Sequence, residues 1–304
     1  MKNYYSIILA LLISSSINTV KSQDTFSIVA VDTITGEVGS AGASCVDMDD
    51  FTDYDDDFLG ELFPGVGAIN TQAWYLATNQ ANARERMNAG DMPQQIIDWL
   101  YNNDAQNNPE KRQYGIVRLN NNSSLSAAFT GNQTDDYKNH ITGPNYSIQG
   151  NILKGPEVLD SMETRFLREE GDLACKLMAA LQGAKMIGAD SRCFSNGTSS
   201  LFSFVKVAQT DDVFGEPSFL LSVRTSSGEG IEPIDSLQVK FDLVKQCSTV
   251  GYTENNYHKF QVFPNPATDK LNITFKDELK SLKILNLQGQ ICMSGAKRKP
   301  QMSP

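Results

Sequence analysis

The chain has 304 residues, 40% of them hydrophobic, so it can build an ordinary core, and its length fits one or two domains. Lys and Arg number 26 against 36 Asp and Glu, a net charge of −10. That balance argues against a general nucleic-acid role, which needs basic stripes to displace counterions, and against docking on anionic lipid.

The first 22 residues have the pattern of a secretory signal. Lys2 gives a short positive start, the apolar run Ser6–Ile13 is too short to span a bilayer, and Val20-Lys21-Ser22 offers a peptidase site. Cleavage is expected before Gln23, leaving a soluble mature chain that is secreted or held at the cell surface. Cys45, Cys175, Cys193, Cys247 and Cys292 remain, and export permits disulfides. The odd count leaves at least one thiol unpaired in a monomer. There is no CxxC or Cys/His cluster and only two histidines, His140 and His258. No metal or cofactor is therefore expected, and both histidines read as surface residues.

Residues 23–249 read as one domain. Thr25–Asp32 is strand-like and turns at Thr33–Gly36, and Glu37–Cys45 returns as a strand of small residues, predicting a hairpin. The next residues contain seven aspartates (Asp47, Asp49, Asp50, Asp53, Asp55, Asp56 and Asp57). Their spacing misses the EF-hand loop, so a solvated acidic loop is expected ahead of a Ca²⁺-stabilised module. Gly65–Ala73 is a further strand. Asn79–Asn88 and Pro93–Asn103 are helices, the second capped by Asp91. Gln113–Leu119 and Ser124–Thr130 form another hairpin. A loop rich in Gly, Asn and Asp then leads to a strand at Tyr146–Leu153. Glu157–Arg168 and Asp172–Met186 are helices, Ser200–Ala208 and Phe219–Thr225 strands, and Ser236–Gln246 a closing helix. Hairpins separated by helix pairs predict an α+β layering of two antiparallel sheets with helices outside. Residues 250–259 read as a linker. Residues 260–304 read as a short, incomplete β module whose strand pattern is lost after Gln290.

Several motifs in order, TFSIVAVDTITGEVGSAGAS (25–44), GVGAINTQA (65–73), AAFTG (127–131), GPNYSIQGN (143–151) and GADSR (188–192), resemble the family known as domain of unknown function 1028. The resemblance implies the four-layer αββα sandwich of N-terminal nucleophile hydrolases. Some family members carry a peptidoglycan-binding module. The implied reaction is therefore hydrolysis of an amide bond in a small-molecule, peptide or peptidoglycan-derived substrate. The segment Phe260–Asp269, with Leu271, Ile273 and Ile284–Gln290, resembles the C-terminal sorting domain of type IX secretion substrates, which implies that machinery as a partner.

On this resemblance Thr25 matches the nucleophile. Such an enzyme uses the side chain of its first residue and takes its own α-amine as base, because the amine's pKa of about 7.7–8.0 leaves a good fraction neutral. Cleavage before Gln23 leaves Gln23-Asp24 attached, and a peptide nitrogen is no base, so the reading needs a second trimming step. Ser44 ends the neighbouring strand. Gln72 and Asn151 offer amides to an oxyanion. Asp190 and Arg192 either orient a substrate or pair with each other, and Ser199 and Ser200 would line the pocket. Cys45 is an alternative nucleophile or half of a disulfide with Cys193. The family reading puts Cys45 and Cys193 at one end of the sandwich, with Cys175 as another partner for either. The rival function is a non-catalytic surface or binding module that keeps the fold.

Overall fold

The computed structural model describes residues 25–247 in full and, beyond them, the backbone of four short strands. The expected signal segment 1–22 and linker 250–259 lie outside the described residues. The chain divides into two compact units, Met1–Ser248 and Thr249–Pro304. Among the described residues no helix is long and apolar enough to cross a membrane.

The first unit is α+β, with two antiparallel sheets and five helices. One sheet has six strands: β1 (Thr25–Val31), β2 (Val38–Ser44), β7 (Asn139–Gly143), β8 (Tyr146–Gly150), β9 (Phe202–Ala208) and β10 (Phe219–Arg224), in the order β10-β9-β2-β1-β8-β7. The other has four: β3 (Gly60–Phe63), β4 (Gly67–Gln72), β5 (Gln113–Asn120) and β6 (Ser123–Thr130), in chain order.

Side chains alternate across each strand, and the described residues form four apolar clusters, three of which frame the two sheets. Phe26, Ile28 and Ala30 of β1, with Ala41 and Ala43 of β2, meet Leu159 and Met162 of α3 (Glu157–Arg168), Leu177 and Leu181 of α4 (Leu173–Ala184) and Phe241 of α5 (Pro233–Val244). The small residues of β2 let α4 lie close, because a Cβ on Gly39 would meet Leu177 Cδ1 at 2.5 Å. Ile69 of β4 and Tyr114 and Ile116 of β5 meet Ala83 and Met87 of α1 (Ala77–Asn88) and Ile96 and Leu100 of α2 (Pro93–Asn102). The third cluster joins the sheets: Val29 and Val31 of β1 and Val38 of β2 meet Leu62, Ala68 and Val117. A fully buried side chain of this size contributes about 1.5–3 kcal/mol. Two disulfides close the unit, Cys45–Cys193 and Cys175–Cys247, with Cα separations of 5.7 and 5.5 Å.

Several expectations need correction. β3 stands in a stretch with no predicted element, and β7 stands where a loop was read. β3 has only four residues, and β7 is an edge strand with exposed and half-buried positions, so neither shows an apolar alternation. Asp91 does not cap α2: Met92 is the cap residue, its N–H donating to Gln95 Oε1 at 2.8 Å, while Asp91 pairs with Arg86. The closing helix starts at Pro233, earlier than read, because Glu232 caps it. The acidic loop is only partly solvated: Asp57 pairs with Lys206 at 2.6 Å and Asp56 pairs with Arg224. His140 is half-buried on β7, its Nδ1 2.9 Å from Thr130 Oγ1.

In the second unit β11 (Gln261–Phe263) pairs with β12 (Asn272–Thr274), and β13 (Ser281–Leu285) with β14 (Ile291–Ala296), all antiparallel. β14 lies beyond Gln290, where the sequence pattern had seemed to end. Its residues, Ile291-Cys292-Met293 followed by Ser294-Gly295-Ala296, pair through the backbone and show no alternation of apolar and polar positions.

Candidate functional site

The layer between the sheets changes character along the strands. At one end it is the Val29, Val31, Val38 and Leu62 cluster. At the other it is polar: Thr25, Ser27, Gln72, Gln113, Gln149 and Asn151 are all buried, none more than 1% exposed. Polar groups cost free energy when buried unless they are hydrogen-bonded, so this end is held by a network.

Thr25 opens β1 and stands level with Ser44 across the hairpin. On its other flank the Asn151 N–H donates to Thr25 O at 3.1 Å. From the facing sheet Gln72 Nε2 donates to the same oxygen at 3.1 Å. Thr25 is therefore ringed by Ser44, Asn151 and Gln72, contributed by both sheets. The Gln72 amide also donates to Gln113 Oε1 at 2.7 Å, and its own oxygen accepts from Ser27 Oγ at 2.5 Å. Both Gln72 N–H bonds are thus committed, and Gln72 is a clamp rather than the oxyanion donor expected of it. Asn151 Nδ2 makes one hydrogen bond, to Gln113 Oε1 at 3.0 Å. Its second N–H is the better donor for an oxyanion.

Next to Ser44 the chain turns to Cys45, whose N–H donates to Asp190 Oδ2 at 2.8 Å. Asp190 is fully buried and holds Arg192 in two contacts, Nε to Oδ1 at 3.0 Å and Nη2 to Oδ2 at 2.7 Å. Arg192 Nη2 lies 3.4 Å from Ser44 Oγ. The Cys45–Cys193 disulfide ties this turn to the end of β2. Cys45, Val46, Phe51, Arg192 and Leu201 line a cavity of about 360 Å³ with Asp47 and Asp50 at its wall. Among the described residues no group of three or more His, Cys, Asp or Glu is arranged to hold a metal ion.

The structure thus gathers Thr25, Ser44, Gln72, Asn151, Asp190 and Arg192 at one end of the sheets. Ser199 and Ser200 fall outside the cavity wall and precede β9 rather than open it. Ser199 Oγ and N–H both donate to Glu232, at 2.6 and 2.7 Å, and Ser200 Oγ lies 3.2 Å from Ser199 Oγ. These serines anchor the cap of α5.

Sequence reading missed three supports. Gln113 links both sheets: besides accepting from Gln72 and Asn151, its Nε2 donates to Gly150 O at 2.9 Å, Thr130 Oγ1 at 2.9 Å and Asn139 O at 3.1 Å. Its only signal was a polar residue at an inward position of β5, in register with Gln72. Arg112 and Asp104 form a buried ion pair at 2.8 Å, and Arg112 Nη1 holds Trp74 O at 2.5 Å. That bond braces the turn after Gln72, where Ala73 and Trp74 have φ of 53° and 47°. Ile152, after Asn151, has φ of 50°. Positive φ in residues with side chains costs about 1–3 kcal/mol each and persists only where surroundings enforce it. Burial opposes ionisation of Asp104. Arg112, the N–H groups of Asn108 and Gln106, and the Asn79 amide outweigh it and hold its pKa well below the carboxylate range.

The model of a family of unknown function, DUF1028, matches residues 25–214, and the chain belongs to that family. A secretion-system C-terminal sorting domain matches residues 261–302, extending past Gln290 to include β14. The crystal structure of protein SPO2555 from Silicibacter pomeroyi, a member of the same family, aligns with a TM-score of 0.57 at 21% identity, covering 74% of this chain and 91% of that one. No curated protein matches the chain. The sorting domain marks the protein for handling by the type IX machinery and for secretion or display at the cell surface.

Proposed function

We propose that the first unit is an amide-bond hydrolase of the N-terminal nucleophile class, an αββα sandwich with Thr25 as nucleophile. The carrying observation is the all-polar ring around Thr25, built from both sheets at the end where the layer between them turns from apolar to polar. In this reading residues up to Asp24 are removed. The freed α-amine takes the proton of the Thr25 hydroxyl as it attacks the amide carbonyl, and later delivers it to the leaving amine. The unspent N–H of Asn151 receives the negative charge that develops on the carbonyl oxygen. The cavity beside Arg192 takes the rest of the substrate, a small molecule or a peptide or peptidoglycan-derived amide, and no cofactor enters. The test compares a chain starting at Thr25 with one starting at Gln23 on a panel of peptidoglycan-derived peptides. Turnover is expected only from the former, and Thr25→Ala should abolish it while leaving the melting temperature intact. Equal turnover by both chains, or by Thr25→Ala, overturns the mechanism.

One observation favours the rival, a non-catalytic binding module: Thr25 is fully buried in the chain as it stands. A native protein isolated with Gln23 as its first residue decides for that reading.

A further inference from the structure

Asn151 is fully buried, and its Oδ1 has no hydrogen-bond partner. A buried acceptor left empty costs about 1–3 kcal/mol. Rotating the amide to hide the oxygen is blocked, because Nδ2 would lose Gln113 Oε1 and the two oxygens would face each other at the present 3.0 Å. Gln113 cannot turn either, since its Nε2 is spent on Gly150 O, Thr130 Oγ1 and Asn139 O. Its oxygen must therefore face Gln72 and Asn151, and the orientation of Asn151 follows. Asn151, the residue just past the end of β8, stands beside Thr25, its N–H donating to Thr25 O at 3.1 Å.

We propose that Gln113 is a positioning residue that locks Asn151 with its carbonyl oxygen presented as the acceptor for the α-ammonium of Thr25 once that residue is the first of the chain. This rests on the N-terminal nucleophile reading. A hydrogen bond to the charged form raises a pKa, so the acceptor holds the Thr25 amine more basic than it would otherwise be, and sets the pH above which it can serve as base.

The test uses the chain starting at Thr25. The pKa of its N-terminal amine is measured from the pH dependence of acetylation by trace acetic anhydride, read by mass spectrometry of the N-terminal peptide. Asn151→Ala should lower that pKa by about one unit, the equivalent of one charge-assisted hydrogen bond. Asn151→Asp should raise it above that of the unaltered chain. Gln113→Met should shift it in the same direction as Asn151→Ala, because the Asn151 amide is then free to turn. If Gln113→Met fails to fold, Gln113→Asn, which withdraws the acceptor by one methylene and keeps the amide, should give the same direction. An amine pKa unmoved by Asn151→Ala overturns the acceptor assignment, and one unmoved by either folded Gln113 variant overturns the lock. The readout needs no turnover. A shift without hydrolysis retains this assignment and removes the hydrolase, and hydrolysis without a shift does the reverse.

Discussion

At the scale of single residues, the polar end of the sandwich depends on groups whose roles are invisible one at a time. Asp104→Asn leaves the Arg112 guanidinium buried against a neutral amide, and should cost about 3–5 kcal/mol at neutral pH by denaturant unfolding. The pH dependence carries the same signature. Because the folded-state pKa of Asp104 is depressed, its contribution is complete above the unfolded value of about 3.9 and lost as pH falls toward the folded value. The Asn variant should therefore lose less stability than the unaltered protein on acidification through that window. His140 gives a separate test. Burial lowers its pKa, so the unfolded chain binds its proton first, and the protein should lose stability as pH falls below about 6.5. His140→Gln should remove that component from a plot of unfolding midpoint against pH. Thr25, Ser44, Asn151 and Asp190 were legible in the sequence because the family motifs carry them. Gln113 and Arg112 were not, since a polar residue opening a strand, or an arginine in a loop, has no periodic or spacing signal. Their meaning arises only when the two sheets face each other.

At the scale of elements, the strands that read clearly were those with a face to bury. β1 carries Phe26, Ile28 and Ala30 on one face, and β9 is buried throughout. β3 and β7 were missed because four- and five-residue strands at a sheet edge satisfy the backbone without needing an apolar row. The turn bearing Asp190 and Arg192 belongs to no regular strand and is held to β2 by the Cys45–Cys193 bridge. Replacing both cysteines by serine should lower stability by about 2–5 kcal/mol. A larger loss should appear in the protection of the Cys45 amide, whose bond to Asp190 the bridge holds in place, by hydrogen exchange. Unchanged protection at that amide would mean that the ion pair alone fixes the turn.

At the scale of the whole molecule, the second unit extends further than its sequence pattern suggests. The tail had seemed to run out at Gln290, yet its last hairpin closes at β14. Removing residues 249–304 should abolish export by the type IX machinery and leave the protein behind the outer membrane, as cell fractionation would show. The accumulated chain should still contain the Cys175–Cys247 bridge, since both cysteines lie in the first unit.

That bridge has a mechanical consequence. The sorting tail follows Cys247, so any pull on the tail, from a secretion channel or from a surface anchor, reaches the first unit at this residue. The disulfide passes the load straight to Cys175 on α4, bypassing the stretch between two cysteines whose sequence separation is 72. Helix α5 and strands β9 and β10 lie in that bypassed stretch and cannot be peeled away in sequence. Under tension the unit must yield where α4 grips the sheet or not at all. In an atomic-force experiment on a chain with Cys45 and Cys193 replaced by serine, the contour length released from the oxidised form should fall short of that from the reduced form by nearly the whole bypassed segment.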